Sequence, residues 1–368
     1  MKQRNQTFTI LSAIGILLIL LGHLDFQILS FGGLFHYYSF HVMLFVFISG
    51  YFYKPQEEEH ILSYLKRKCL HLLLPYFIWN LFYAILTTLL HRAGIRIGEP
   101  VSLYNLFVAP FMGGHQFMYN APAWFVPALF LVELCNIIGR RILSFFKIHN
   151  EYLIMALYLI IGLAAVYLAK RGSVYDLYRL PARIMFLAPA FQMGRLYKDQ
   201  LEKKDTLPSS LYFLILFVIQ CVLSFASYGQ IAFSAVWVTG FSHSIFLPYL
   251  TTITGIAFWL RIAKELTPLL SKSRFILYLG THTFSVMMHH LLGFFTVNSL
   301  FAFLSTKVSA NAFSSFDYDM FITDIYYTYM PYGMAEIKWV YLAVGILLPL
   351  GISYILSRLR ILSFFHNV

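Results

Sequence analysis

Seven ionisable side chains stand inside apolar runs of this sequence: His23, His41, Glu133, Arg183, His282, His289 and His290. An imidazole near neutral pH takes a proton from a hydroxyl and gives it back, which is the task of a general base when an alcohol attacks a thioester. His23 is the first candidate for that role. It lies about fifteen residues into the first apolar run, roughly 22 Å along a helix, in the half expected to face outward. Asp25, two residues on, would stand roughly 200° around the helix, so it can orient His23 only if the helix has ended. Glu133, in the middle of a later run, is the better-placed partner to orient a base or accept a proton. His41, His289 and His290 fall at similar depth and are expected to converge with His23 on one outward-leaning pocket, as substrate contacts together with Arg183. Each of these residues also has a plainer reading, a hydrogen bond to a neighbouring helix.

Other residues invite weaker assignments. Lys66-Arg67-Lys68, followed by His71 and Pro75, reads either as a cytoplasmic positive charge cluster or as a clamp for donor phosphates, with Arg195, Arg261 and Arg274 available on the same side. Ser49-Gly50 removes bulk where a neighbour or ligand comes close. Trp124-Phe125 reads as an interfacial anchor or a substrate contact. The three cysteines, Cys69, Cys135 and Cys221, have neither zinc-site nor disulfide-framework spacing, and no metal is expected.

These residues need elements to hold them. The chain has 368 residues, 59% hydrophobic and 12% charged, with a mean hydropathy of +0.70; that is too little charge for a water-soluble surface, so a lipid bilayer is the expected solvent. Apolar runs recur throughout, leaving no stretch for a soluble domain, and residues 1–368 read as one integral-membrane domain. A span takes roughly 20 apolar residues. On that measure helices are expected near 8–30, 36–53, 69–90, 123–139, 152–169, 180–197, 208–228, 240–260, 275–303 and 339–357. The fold class is thus all-α, a polytopic transmembrane bundle of about ten helices. The first run follows Met-Lys-Gln-Arg but is too long for a secretory signal and lacks a small-residue cleavage site, so it is expected to be retained.

With both termini cytoplasmic, ten spans place most of the 27 Lys and Arg residues on the inner side, as the positive-inside rule requires. The net charge of +11 therefore speaks of membrane topology and not of nucleic acid, for which no basic domain exists. Two long outer loops, 91–122 and 304–338, the second carrying Asp317, Asp319 and Asp324, read either as aromatic belts or as an acceptor vestibule.

Six segments, in order, resemble the integral-membrane acyltransferase family 3, which includes fucose 4-O-acetylase-like and polysaccharide O-acetyltransferases. They are IGILLILLGH ending at His23, HVMLFVFISGYFYK from His41, YLKRKCLHLLLPYFIW from Tyr64, AWFVPALFLVEL from Ala123, APAFQMGRLYK from Ala188 and LYLGTHTFSVMMHH from Leu277. The resemblance implies that His23 is the catalytic histidine, with cytosolic acyl-CoA as donor substrate, acetyl by default and succinyl as the other option, and a glycan hydroxyl as acceptor. It also implies a bacterial plasma (inner) membrane, with no bound cofactor. Relatives usually carry Arg or Lys eleven positions before the histidine, implicated in engaging the donor; this chain has Ser12 there, and Thr9 where an Asp is common. Arg4 or Arg67 is then expected to replace that contact, or the chain has lost transferase activity and scaffolds polysaccharide assembly. A glycan exporter is the rival of a different class. The oligomeric state is left open.

Overall fold

The computed structural model describes residues 5–307 and 315–358; Arg4, residues 308–314 of the second outer loop and the far C-terminus lie outside the described residues. Among the described residues ten helices have twelve residues or more: α1 (Gln6–His23), α2 (His41–Phe52), α3 (Leu74–Arg92), α4 (Phe125–Phe145), α5 (Glu151–Lys170), α6 (Arg179–Leu196), α7 (Ser209–Ala226), α8 (Leu247–Leu270), α9 (Thr283–Lys307) and α10 (Lys338–Arg358). The only β pairing among these residues is an isolated bridge between Ser234 and Thr239. Each of the ten expected spans overlaps one of the ten helices, and the fold is all-α.

Among the described residues seven helical segments are long and apolar enough to cross a membrane: Gln6–His23, Ile61–Arg92, Ala121–Phe145, Glu151–Lys170, Ser209–Ala226, Thr283–Lys307 and Ala335–Arg358. α2 is apolar but shorter. α6 and α8 are long enough but carry Arg183 and Arg195, or Thr251, Thr252, Thr254 and Arg261, all of them buried. Their polarity is turned inward, where protein rather than lipid surrounds it. α7 shows the opposite pattern, with Leu214, Val218, Val222 and Phe225 exposed along it, the apolar face that a lipid solvent calls for.

Three boundaries differ from expectation for local reasons. α1 stops at His23 and not near residue 30, because Asp25 takes a positive φ of 46° and Phe31, Gly32 and Gly33 follow with positive φ, a conformation no helix can continue. The span expected at 275–303 breaks into Arg274–Thr281 and α9, with His282 at the junction. There Gly280 lies so close to α1 that a Cβ on it would stand 2.0 Å from the Thr9 carbonyl oxygen. The segment expected at 240–260 begins its helix only at Leu247, with Pro248 in the first turn, where a missing N–H costs nothing.

The chain divides into two compact units. Unit one comprises Met1–Ile19, Gln27–Lys68 and Ala128–Thr281; unit two comprises Leu20–Phe26, Cys69–Pro127 and His282–Val368. Within unit one, α2 and α6 pack backbone against backbone: a Cβ on Gly50 would stand 1.8 Å from the Phe191 carbonyl oxygen, and one on Gly194 would stand 2.0 Å from that of Phe47. Unit one also buries an ionic network in which Arg140 pairs with Glu58 and with Glu151, each at 2.7 Å. Gln192 donates to Glu151 at 2.7 Å. Within unit two, α9 packs along α10, tied by Ser285 donating to the Pro349 carbonyl at 2.9 Å. α3 turns one polar stripe inward, Tyr76, Asn80, Tyr83 and Thr87, all fully buried at the spacing of a single helix face.

Candidate active site

His23 is the last residue of α1, half-buried, at the C-terminal end of the helix, where the helix dipole favours a cation. The turn after it is fixed by main-chain bonds from Asp25 N to Gly22 O and from Phe26 N to Leu21 O. It is braced further by Lys338, which donates to the Asp25 carbonyl at 2.9 Å, and by Trp339 edge-on to Phe26. Two rings adjoin the imidazole. His290 lies with its centroid 5.2 Å away, and Tyr326 stacks on it at 5.5 Å with planes 8° apart.

His290 is fully buried on α9. Its Nδ1 is 2.9 Å from the Val286 carbonyl oxygen one turn back; a carbonyl only accepts, so Nδ1 carries the proton and Nε2 keeps its lone pair. That Nε2 is buried with no hydrogen-bond partner among the described residues. His289 is also fully buried but, being the next residue on a helix, leaves α9 about 100° away. Its Nδ1 is 2.7 Å from the Tyr83 hydroxyl, which also lies 3.0 Å from the Met288 carbonyl; the indole of Trp79 stands edge-on at 4.2 Å. The two histidines therefore do different things: His290 faces His23, and His289 faces α3.

The remaining expected site residues divide between the units. Trp124, in unit two, is buried just before α4, edge-on to Phe125 at 6.1 Å. His41 belongs to unit one, where its Nδ1 is 2.5 Å from the Tyr37 carbonyl oxygen and Tyr38 stands edge-on at 5.0 Å. Arg183, buried on α6, donates twice to the Val236 carbonyl, at 3.0 and 2.6 Å. Ser12 donates to the Phe8 carbonyl one turn back at 2.8 Å. Ser49 is half-buried beside Gly50, whose service is the close approach to Phe191 described above.

Glu133 is held by Lys68, with Oε1 2.7 Å from the ammonium nitrogen, so its charge is committed to that cation. Its Oε2 is buried without a partner among the described residues. Of the other two members of the basic triplet, Arg67 pairs with Glu57 at 2.7 Å and Lys66 is exposed. A π-helical turn, Cys69–Leu73, follows at once, the kind of helix defect that recurs at functional sites. Arg195 pairs with Asp199 at 2.6 Å and Arg261 with Asp205. The basic surface is therefore largely neutralised by its own carboxylates.

Three residues at the histidines escaped the sequence reading. Tyr83 was findable, because the polar stripe at 76, 80, 83 and 87 marks a face of α3 that could not meet lipid. Trp79 carries no such signal. Tyr326 sits in an irregular loop where no periodicity ties it to α1.

Seven membrane-length apolar helices among the described residues, in an all-α fold, mark an integral-membrane protein. The family model described as an acyltransferase domain, acyltransferase family 3, matches residues 7–358, and the chain belongs to that family of membrane acyltransferases. No curated protein matches the chain, and no solved structure matches it.

Proposed function

We propose that this membrane acyltransferase moves an acyl group, acetyl by default, from cytosolic acyl-CoA to a hydroxyl of a cell-surface or lipid-linked glycan, in a bacterial plasma membrane with both chain termini cytoplasmic. The observation that carries the reading is the half-buried His23 at the end of α1, with the His290 ring 5.2 Å away.

In the reaction the acceptor hydroxyl oxygen attacks the thioester carbonyl carbon while His23 takes the hydroxyl proton. The tetrahedral intermediate collapses, the C–S bond breaks, and the proton returns from His23 to the sulfur, so that an ester and free CoA leave. The C-terminal end of α1 stabilises the imidazolium formed between the two steps. His290, with Nε2 as a lone-pair acceptor, receives a second hydroxyl of the acceptor and so aims the attacking one at His23. Lys66, which is exposed, and Arg67, whose carboxylate partner is close to the surface, are the donor-side cations that phosphates of the donor reach first, with Lys68 adding its charge from its pair with Glu133.

Membranes containing the protein, or its His23→Ala variant, are to be incubated with radiolabelled acetyl-CoA and the host's surface polysaccharide. Label released from the glycan by mild alkali is then counted. Transfer that falls by about 10²–10⁴-fold in the variant, the usual worth of a general base, is the expected result. Full transfer by His23→Ala overturns the base assignment, and no transfer from acetyl- or succinyl-CoA by the folded protein overturns the reaction.

A further inference from the structure

Resting on the reading of His23 as the base, we propose that Tyr326 is a positioning residue for it, holding the imidazole in register and stabilising the imidazolium that forms during transfer. The two rings are nearly parallel at 5.5 Å. A flat aromatic face over an imidazole restricts its rotation and, once the imidazole is protonated, attracts the charge through the ring quadrupole.

The segment carrying Tyr326 is built to hold it. Asp324 accepts from the Tyr326 main-chain nitrogen at 2.8 Å, an Asx turn that sets the backbone there. One residue further on, the Tyr327 carbonyl accepts from Asn298 of α9 at 2.6 Å, and the Tyr327 hydroxyl accepts from the Asp317 nitrogen at 3.0 Å. The Tyr329 nitrogen is bonded to Tyr341 of α10 at 2.9 Å. Ile325 and Tyr329, on either side, are buried. A residue serving only as an interfacial anchor needs none of these attachments. Here the backbone flanking Tyr326 is fastened to the two helices of unit two that also carry His290 and Lys338, the residues that face His23 or fix the turn after it.

The test compares Tyr326→Phe, which keeps the aromatic face, with Tyr326→Leu, which keeps bulk but not the face, alongside His23→Ala. Steady-state kcat and KM for acetyl-CoA are measured in membranes, with detergent melting of each variant as a control. Tyr326→Leu is expected to lower kcat about tenfold with KM for acetyl-CoA unchanged, and Tyr326→Phe to stay within about twofold of the parent. Equal losses in Leu and Phe, a loss confined to KM, or an unchanged kcat in Tyr326→Leu while His23→Ala is inactive, would each overturn this role and leave the base assignment standing. A fully active His23→Ala would remove the base assignment itself, and the Tyr326 role with it.

Discussion

Both units bury neutral polar side chains, His41, Gln192 and Gln220 among those of unit one, but they differ in the charges they bury. Unit one buries Glu133, Arg140, Arg183, Arg195 and Arg261; unit two buries Asn80, Thr87, Gln116, Asn120, His289, His290 and Asn298 and, among the described residues, no carboxylate, ammonium or guanidinium. In unit one most of these charges meet opposite charges at close range. In unit two the polar groups meet carbonyls, a phenol and aromatic rings. A buried charge in a bilayer is expensive unless paired, and pairing consumes it. Neutral imidazoles are cheaper to bury and keep a nitrogen for a passing proton. Unit one thus commits its buried charges to holding structure, while unit two keeps neutral imidazoles.

The comparison breaks most visibly at Arg140. Its guanidinium serves Glu58 and Glu151 at once, and all three side chains are largely buried. Arg140→Ala should leave Glu58 without its counter-ion and Glu151 with only Arg195 at 4.0 Å, and cost about 3–5 kcal/mol of stability, read as a lowered unfolding midpoint in detergent. Turnover per folded molecule should hold. A variant that melts like the parent but transfers no acyl group would place chemistry in unit one and dissolve the contrast.

At His290 the effect should be smaller in energy and opposite in kind. His290→Gln preserves volume and a hydrogen-bonding head while removing the imidazole. Transfer should fall about hundredfold, with the unfolding midpoint unmoved. If instead stability drops and turnover per folded molecule is kept, the Nδ1 bond to Val286 is the whole of its function, and the two units differ less than their residue types suggest.

How much of this was legible beforehand follows from the range of the forces involved. The ten helices were readable because lipid imposes a run of apolar residues on each span, a local signal. Where a helix stops was not: Asp25 adopts its left-handed conformation without being glycine, so nothing in its identity ends α1 at His23. The pairing of Lys68 with Glu133 joins residues 65 apart, beyond any periodicity. His289 and His290 were read as one pair, although adjacency on a helix already implies about 100° between them. Their divergence toward α3 and His23 follows from that angle alone. Tyr326 depended on the path of an irregular loop, which carries no pattern at all.

The smallest expected effect is the sharpest test of what unit one contributes to the donor. Ser12 occupies the position where the family resemblance leads one to expect Arg or Lys, eleven residues before the histidine, and a hydroxyl there has the hydrogen-bonding capacity to contact the donor. Its Oγ, however, donates to the Phe8 carbonyl at 2.8 Å, a bond back along the same helix turn that serine makes readily and that adds little to a carbonyl already in the helix ladder. Ser12→Ala should change stability by no more than about 0.5 kcal/mol and turnover by less than about twofold, with KM for acetyl-CoA unaltered. That outcome excludes the Ser12 hydroxyl from donor binding. A KM raised tenfold or more would instead mean that the Ser12 hydroxyl turns from Phe8 to the donor, and that the position kept its task when it lost its charge.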